Sequence, residues 1–582
     1  MNDTPRKRYV PAVGPRLKKL LMAIFVVFAL LLVNAVYLGS VTLVEWLSGE
    51  TYQNYFYQYM FLAHLFLGFL VLLPVIIYGI IHIKNARNRP NKRAIKAGYA
   101  LFATALLLLF SGVTLTRGLP VLEIRDPAVR DGAYWLHVLT PAVIIWLFIM
   151  HRLAGRRINW RAGAWVGGSA VLLALVALAV QTRDPRQWNT VGPASGEQYF
   201  FPSLARTATG NFIDAQVLMM DEYCQTCHAD THASWKNSMH RFSSFNNPAY
   251  LFSVRGTRAM AQARDGDVQA SRFCAGCHDL VPFFSGAFDD PDFDDVNHPT
   301  AAAGITCTGC HAITHVNSTR GNADFTIDEP LHYPFTFSEL EPLRALNRLL
   351  VKAKPAFHKK TFLKPLHKSA EFCGTCHKVH LPVELNDYKW LRGQNHYDSF
   401  LLSGVSGHGA ASFYYPDKAQ SNCNGCHMKP VSSDDFGARE LDDTGELQVH
   451  DHQFPSANTA IPHVLGLPPE VNLAHRDMLR DALRVDLFGL KKGARIDGQL
   501  LAPLDTGAIQ LEPGQDYLLE AVLRTLTLGH LFTEGTADSN QVWLEVQVHA
   551  DGDLIGASGL LDPVSGAVDE WSHFVNAYVL DK

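Results

Sequence analysis

The chain has ten cysteines, and all of them fall in one repeated pattern. The copies are Cys224-Gln-Thr-Cys227-His228, Cys274-Ala-Gly-Cys277-His278, Cys307-Thr-Gly-Cys310-His311, Cys373-Gly-Thr-Cys376-His377 and Cys423-Asn-Gly-Cys426-His427. C-x-x-C-H is the signature of covalent c-type haem attachment. Two thiols form thioethers with the porphyrin vinyl groups, and the adjacent imidazole reaches the iron. Two four-cysteine zinc sites with a spare pair would give no reason for a histidine after every second cysteine. A disulfide framework fails on the same point, although an oxidising compartment would permit one. Five c-type haems are therefore expected, with His228, His278, His311, His377 and His427 as proximal ligands.

Each iron has a second axial position, and seventeen further histidines lie beyond residue 182. The first choices for distal ligands are His240, in Trp235-Lys-Asn-Ser-Met-His240, and His315, in His311-Ala-Ile-Thr-His315. His452 is next. His298, His332, His358, His367, His380, His396, His408, His450 and His463 compete with them. Two imidazoles close an iron to substrate, whereas a haem without the second one is an open catalytic site. The sequence leaves that choice open.

His64, His82, His137 and His151 have a different setting. They lie in or at the ends of two apolar segments, where an ionisable side chain is costly and functional by default. His64 and His82 are 18 residues apart, a whole number of helical turns, and so share a face. His137 and His151 are 14 apart and fall about 40° off one face. Both segments are expected to run in the same direction. His64 can then meet His137, and His82 can meet His151, holding two stacked b-type haems. The axial separations, about 27 Å and about 21 Å, do not match. Pro74 permits a kink that would absorb some of the difference.

The elements that must carry these residues divide the chain. Apolar runs at about Leu20–Gly39, Phe56–Ile83, Gly98–Leu115, Tyr134–Met150 and Trp160–Val180 are each near the ~20 residues needed to span a bilayer. The first resembles a signal peptide but is too long for one, and is read as an uncleaved helix. The N-terminus, His82–Lys96 and His151–Arg161 are rich in Lys and Arg and are read as cytoplasmic. Five helices from a cytoplasmic start deliver the rest of the chain to the periplasm, where c-type haem is attached. The host is thus the bacterial cytoplasmic membrane. The expected domains are a five-helix membrane cytochrome b (1–182), a linker (183–222), a mostly α, loop-rich pentahaem region (223–467) and a C-terminal β-sandwich (468–582).

In that last part, Asp516–Thr525, Gln541–His549, Leu554–Leu561 and Phe574–Leu580 read as strands, with a turn at Asp551-Gly552. The net charge of −4 carries no nucleic-acid footprint. The mean hydropathy of +0.01 averages an apolar first third and a polar remainder.

The membrane part resembles the di-haem b-type subunits of respiratory hydrogenases and formate dehydrogenases, on His64-x-x-x-Gly68 and the paired histidines of the fourth helix. The resemblance implies electron exchange with membrane quinone. Residues from about 220 to 465 resemble multihaem c-type cytochromes related to hydroxylamine oxidoreductase and its tetrahaem electron acceptor. That likeness rests on Tyr223-Cys-Gln-Thr-Cys-His-Ala, Trp235-x-x-Ser-Met-His240, Gly304-Ile-Thr-Cys-Thr-Gly-Cys-His311 with His315, and Phe372-Cys-Gly-Thr-Cys-His-Lys378. It implies closely stacked porphyrins that conduct electrons. The C-x-x-C-K motif of many ammonia-forming nitrite reductases is missing, and no tyrosine matches the crosslinked one of hydroxylamine oxidoreductase. Leu528–Asp538 looks like a loop in the C-terminal β-domains of other large multihaem cytochromes, a resemblance that would bring His530 near a haem; the preferred reading of His530 is a structural loop residue.

The expectation is electron transfer between the quinone pool and a periplasmic or surface-exposed redox protein, through two b and five c haems. The alternative is a terminal reductase or oxidase of a small nitrogen or sulfur compound at one five-coordinate c haem. A subunit role in a larger respiratory complex is compatible with either. The loop with Arg117, Glu123, Arg125 and Asp126 is a candidate for quinol contacts, and Tyr55, Tyr57 and Tyr59 read as an interfacial aromatic belt.

Overall fold

A computed structural model describes residues 11–117, 124, 126–155, 160–181, 190–386, 391–410, 412, 419–506, 509–532 and 541–575. Glu123 and Arg125 lie outside these residues. The chain divides into two compact units, one of residues 1–187 with 331–363, the other of 188–330 with 364–582.

The first unit opens with five long helices: α1 (Pro15–Ser48), α2 (Tyr55–Ala86), α3 (Lys92–Leu115), α4 (Pro127–Leu153) and α5 (Trp160–Gln181). All five are long and apolar enough to cross a membrane. They outrun the apolar segments of the sequence because their ends are set by local chemistry. Pro15 and Pro127 occupy the first turns of α1 and α4, where a missing N–H costs nothing. The side chains of Asn54, Asn91 and Asp126 accept from the backbone N–H of Tyr57, Ala94 and Val129 and so cap α2, α3 and α4. α1 ends at Gly49, whose φ of 73° few other residues adopt. α3 packs on α4, and α1 on both α2 and α5. Phe66, Leu73, Phe110, Trp165 and Leu172 point outward, a surface suited to lipid rather than water.

The same unit includes Glu341–Ala353 and Pro355–Phe362, two helices from far along the chain. Tyr333, Leu350 and Phe357 form a buried cluster with Phe61 and Leu62 of α2. Lys354 Nζ donates to the Tyr57 hydroxyl at 2.8 Å, and Lys360 Nζ to the Thr51 carbonyl at 2.9 Å. Tyr57 is thus not a belt residue like exposed Tyr55 and Tyr59. It is 1% exposed.

The second unit is built on Phe200, Phe283, Phe284, Phe288 and Phe325, with Leu218, Val254 and Leu280 around them. Residues 190–222, read as a linker, contribute Phe200, Ile213 and Leu218 to this core. Phe325–Ile327 pairs parallel with Arg206–Thr207 and antiparallel with Ile313–Val316.

The C-terminal strands form three small sheets. Leu483–Lys492 lies between Tyr517–Thr525 and Leu500–Leu501. Val546–Ala550 pairs with Asp553–Ser558, and Trp543–Leu544 with His573–Phe574. Val485, Leu487, Val548 and Ile555 are exposed. The expected strands and the Asp551-Gly552 turn are therefore seen among the described residues, whereas a two-layer sandwich core is not. Most of the expected strand Phe574–Leu580 lies outside the described residues.

Candidate functional site

The site is a set of imidazoles, and geometry sorts them. Two imidazoles on one metal, each at a metal–nitrogen distance of about 2 Å, have ring centres roughly 6 Å apart. In the first unit His64 of α2 and His137 of α4 have ring centres 6.1 Å apart at 79°. His82 and His151 are 6.2 Å apart at 80°. The unequal axial spacing does not prevent either approach. Pro74 lies inside α2 and Pro141 inside α4, each between the two histidines of its helix.

The outer nitrogen of each ring is already engaged. His82 Nδ1 donates to the Ala12 carbonyl (3.1 Å), His151 Nδ1 to Ala94 (2.9 Å) and His137 Nδ1 to Leu108 (3.3 Å). His64 Nδ1 meets the Asn34 side-chain oxygen at 3.0 Å, while the Asn34 amide donates to the Met60 carbonyl at 2.8 Å. Carbonyl oxygens only accept, so a neutral ring carries its hydrogen on Nδ1 and presents a bare Nε2. That is the usual posture of a metal-ligating histidine. α3 supplies room. A Cβ on Gly112 would stand 2.9 Å from His137 Cε1, and one on Gly98 would stand 3.2 Å from His151 Cε1.

In the second unit a short helix or turn carries each C-x-x-C-H. The five are Asp221–Gln225, Arg272–His278, Cys307–His311, Ala370–Gly374 and Asn424–His427. The backbone N–H of His228, His377 and His427 donates to the carbonyl of the first cysteine in its motif, at 2.9–3.0 Å. One helical turn thereby gathers both thiols and the imidazole. All ten cysteines are free. Thiols of different motifs meet: Cys224 with Cys307, Cys277 with Cys376, and Cys373 with Cys423. Among the described residues no group of three or more His, Cys, Asp or Glu side chains is arranged to hold a metal ion.

Among the described residues, His377, His311 and His427 each have an imidazole at the ligating distance. His377 faces His240 at 6.2 Å, His311 faces His452 at 6.4 Å, and His427 faces His530 at 6.3 Å with planes 8° apart. His396 is also close to His377 (5.4 Å), as is His367 to His311 (4.8 Å). The structure thus puts His240 and His452 of the sequence choices beside motif histidines. His315 lies on a strand opposite Thr326 and joins no such pair among the described residues. His530, read as a structural loop residue, stands in one. Its signal was the resemblance of its loop, which offered this role as the alternative. His332 and His358 fold with the helical unit.

Burial, and then neighbouring imidazoles, pushes His240 down to about 3 and His377 to about 4. These rings are neutral, the form that ligates iron. Nδ1 of His278, His427 and His452 donates to the carbonyls of Ser243, Pro455 and His450. Gly437 leaves room for His228, since a Cβ there would lie 2.7 Å from its Cε1. Against the face of the His278 ring, at 4.3 Å, lies Tyr250. The Tyr250 hydroxyl donates to Asp279, a buried carboxyl that desolvation pushes up to about 7.

Residues 223–312 match a family model described as cytochrome c554 and c-prime. No curated protein and no solved structure matches the chain. The matched stretch, which spans the first three motifs, is a c-type cytochrome region, a class that binds haem covalently and carries electrons.

Proposed function

We propose that the chain is a membrane-bound electron conduit between the quinone pool and a periplasmic or surface-exposed redox protein, using two b-type and five c-type haems. The observation that carries this reading is the pair of imidazole couples inside the apolar helices, 6.1 and 6.2 Å apart, with every Nδ1 engaged. Iron porphyrin bound at these positions would supply reversible one-electron chemistry.

The residues around it hold and shield. His64 with His137, and His82 with His151, would ligate the two b irons from opposite sides. Asn34 and the carbonyls of Ala12, Ala94 and Leu108 fix their tautomers. In the second unit the five cysteine pairs would bind porphyrin covalently. His240, His452 and His530 would close the irons of His377, His311 and His427. Thiol contacts bring some of the motifs close to one another. The first motif adjoins the third, the second adjoins the fourth, and the fourth adjoins the fifth.

A second reading keeps one c-type iron open for a small nitrogen or sulfur compound. The observation in its favour is His278, for which no imidazole stands near 6 Å among the described residues.

The test is stopped-flow spectroscopy on the purified protein in lipid with a short-chain quinol as donor. The b bands should reduce first and the c bands after them. In His137→Ala the c bands should stay oxidised with quinol and still reduce with dithionite. Equal c reduction by quinol in that variant would sink the conduit.

A further inference from the structure

The N-terminal end of α2 carries a polar group that the haem sites do not use. Gln58 is fully buried, and among the described residues neither atom of its amide has a hydrogen-bond partner. A buried amide left unpaired is costly and uncommon. Beside it in the chain, the buried Tyr57 hydroxyl accepts from Lys354 Nζ at 2.8 Å. Lys354 lies 4.4 Å from the Phe61 ring centre and 5.2 Å from that of Tyr57. Burial holds its ammonium below the ordinary lysine range, against the opposing pull of Glu45. A buried cation with no carboxylate in direct contact is a poor choice for mere anchoring. Lys360, by contrast, has Glu50 at 3.8 Å and the Thr51 carbonyl.

Tyr57, Phe61 and His64 follow the spacing i, i+4, i+7 and form one stripe along α2. Tyr57 is about 10 Å along the axis from His64. The stripe thus leads from the Tyr57–Lys354 contact, through the Phe61 ring, to a candidate b-haem ligand.

We infer that Lys354, Tyr57 and Gln58 bind the oxygenated headgroup of a lipid-soluble quinol at the His64 end of the membrane unit. This inference rests on the proposed conduit, with iron between His64 and His137. The Lys354 ammonium and the Gln58 amide N–H donate to a quinone oxygen, Tyr57 and the Gln58 carbonyl accept from a quinol hydroxyl, and Phe61 packs on the ring. Oxidation of one quinol there would give one quinone, two protons to water and two electrons, which an iron porphyrin held by His64 and His137 would accept one at a time.

The test uses the haem-loaded full chain and 2-heptyl-4-hydroxyquinoline N-oxide, a quinol analogue, with binding read by quenching of its fluorescence. Lys354→Met, Tyr57→Phe and Gln58→Leu should each weaken binding about tenfold or more, with haem content and dithionite reduction unchanged. Quinol-driven b-haem reduction should slow in parallel. Tyr57→Phe removes one oxygen atom, so it carries the test if Lys354→Met fails to assemble. Wild-type affinity in Tyr57→Phe and Gln58→Leu would overturn the site while leaving the conduit intact. A wild-type protein that neither binds the analogue nor accepts electrons from quinol would overturn the conduit itself.

Discussion

The two units place imidazoles face to face by different means. In the helical unit the partners sit on two long helices, and the repeat of the helix decides which residues meet. Two glycines of α3, spaced 14 apart like His137 and His151, clear the space those rings need. In the second unit one partner of each couple is fixed beside two cysteines, and the other arrives on a loop from a remote part of the chain. A b-type porphyrin is held by its ligands and pocket alone, whereas a c-type one is tethered by thioethers. The same mutation should therefore have unlike consequences in the two places.

The largest effect is expected from His64→Ala. Loss of one axial ligand should cost one whole b haem, so the pyridine haemochrome ratio of b to c should halve while the c count stays at five. Retention of both b haems would break the comparison. Next comes His530→Ala. The covalent links should keep all five c haems, and one iron should turn high-spin, visible by electron paramagnetic resonance near the low-field axial signal. Loss of a c haem, or no change in spin state, would count against the His427–His530 couple.

Gly112→Ala should have an intermediate effect, since the new methyl would stand 2.9 Å from His137. We expect partial b-haem loss there and less in Gly98→Ala, where the contact is 3.2 Å. Equal occupancy in both would show that α3 yields. The smallest effect is expected from Asn34→Leu. It removes the partner of His64 Nδ1 and should weaken haem retention by about 10–100-fold, measured as haem loss to apomyoglobin, with the fold intact.

This contrast also explains what could be read from the sequence. The cysteine motifs, the five apolar helices and the His64/His137 and His82/His151 couples follow from local spacing, and a period of 3.6 carries over directly into three dimensions. His240 and His452 could be singled out as candidates but not assigned to an iron. The resemblance of its loop offered His530 as a residue near a haem without deciding it, because loop closure obeys no period and His427 is distant in the chain. Asn34 was legible in principle as a lone amide in an apolar run, and so was the matched spacing of Gly98 and Gly112. The fold of 331–363 with the helices was not. Only the packed cluster of Tyr333, Leu350 and Phe357 with Phe61 and Leu62 reveals it. The C-terminal strands were legible from alternation, but the expected sandwich was not seen, since their apolar faces remain exposed among the described residues.

The most direct test of the central claim is the haem inventory of the intact protein by pyridine haemochrome, paired with the resonance spectrum of the oxidised form. The account requires two b haems for every five c haems, with highly anisotropic low-spin signals from the steeply tilted couples at 79° and 80°. Five c haems with fewer than two b haems would contradict it and leave the apolar helices as an anchor alone.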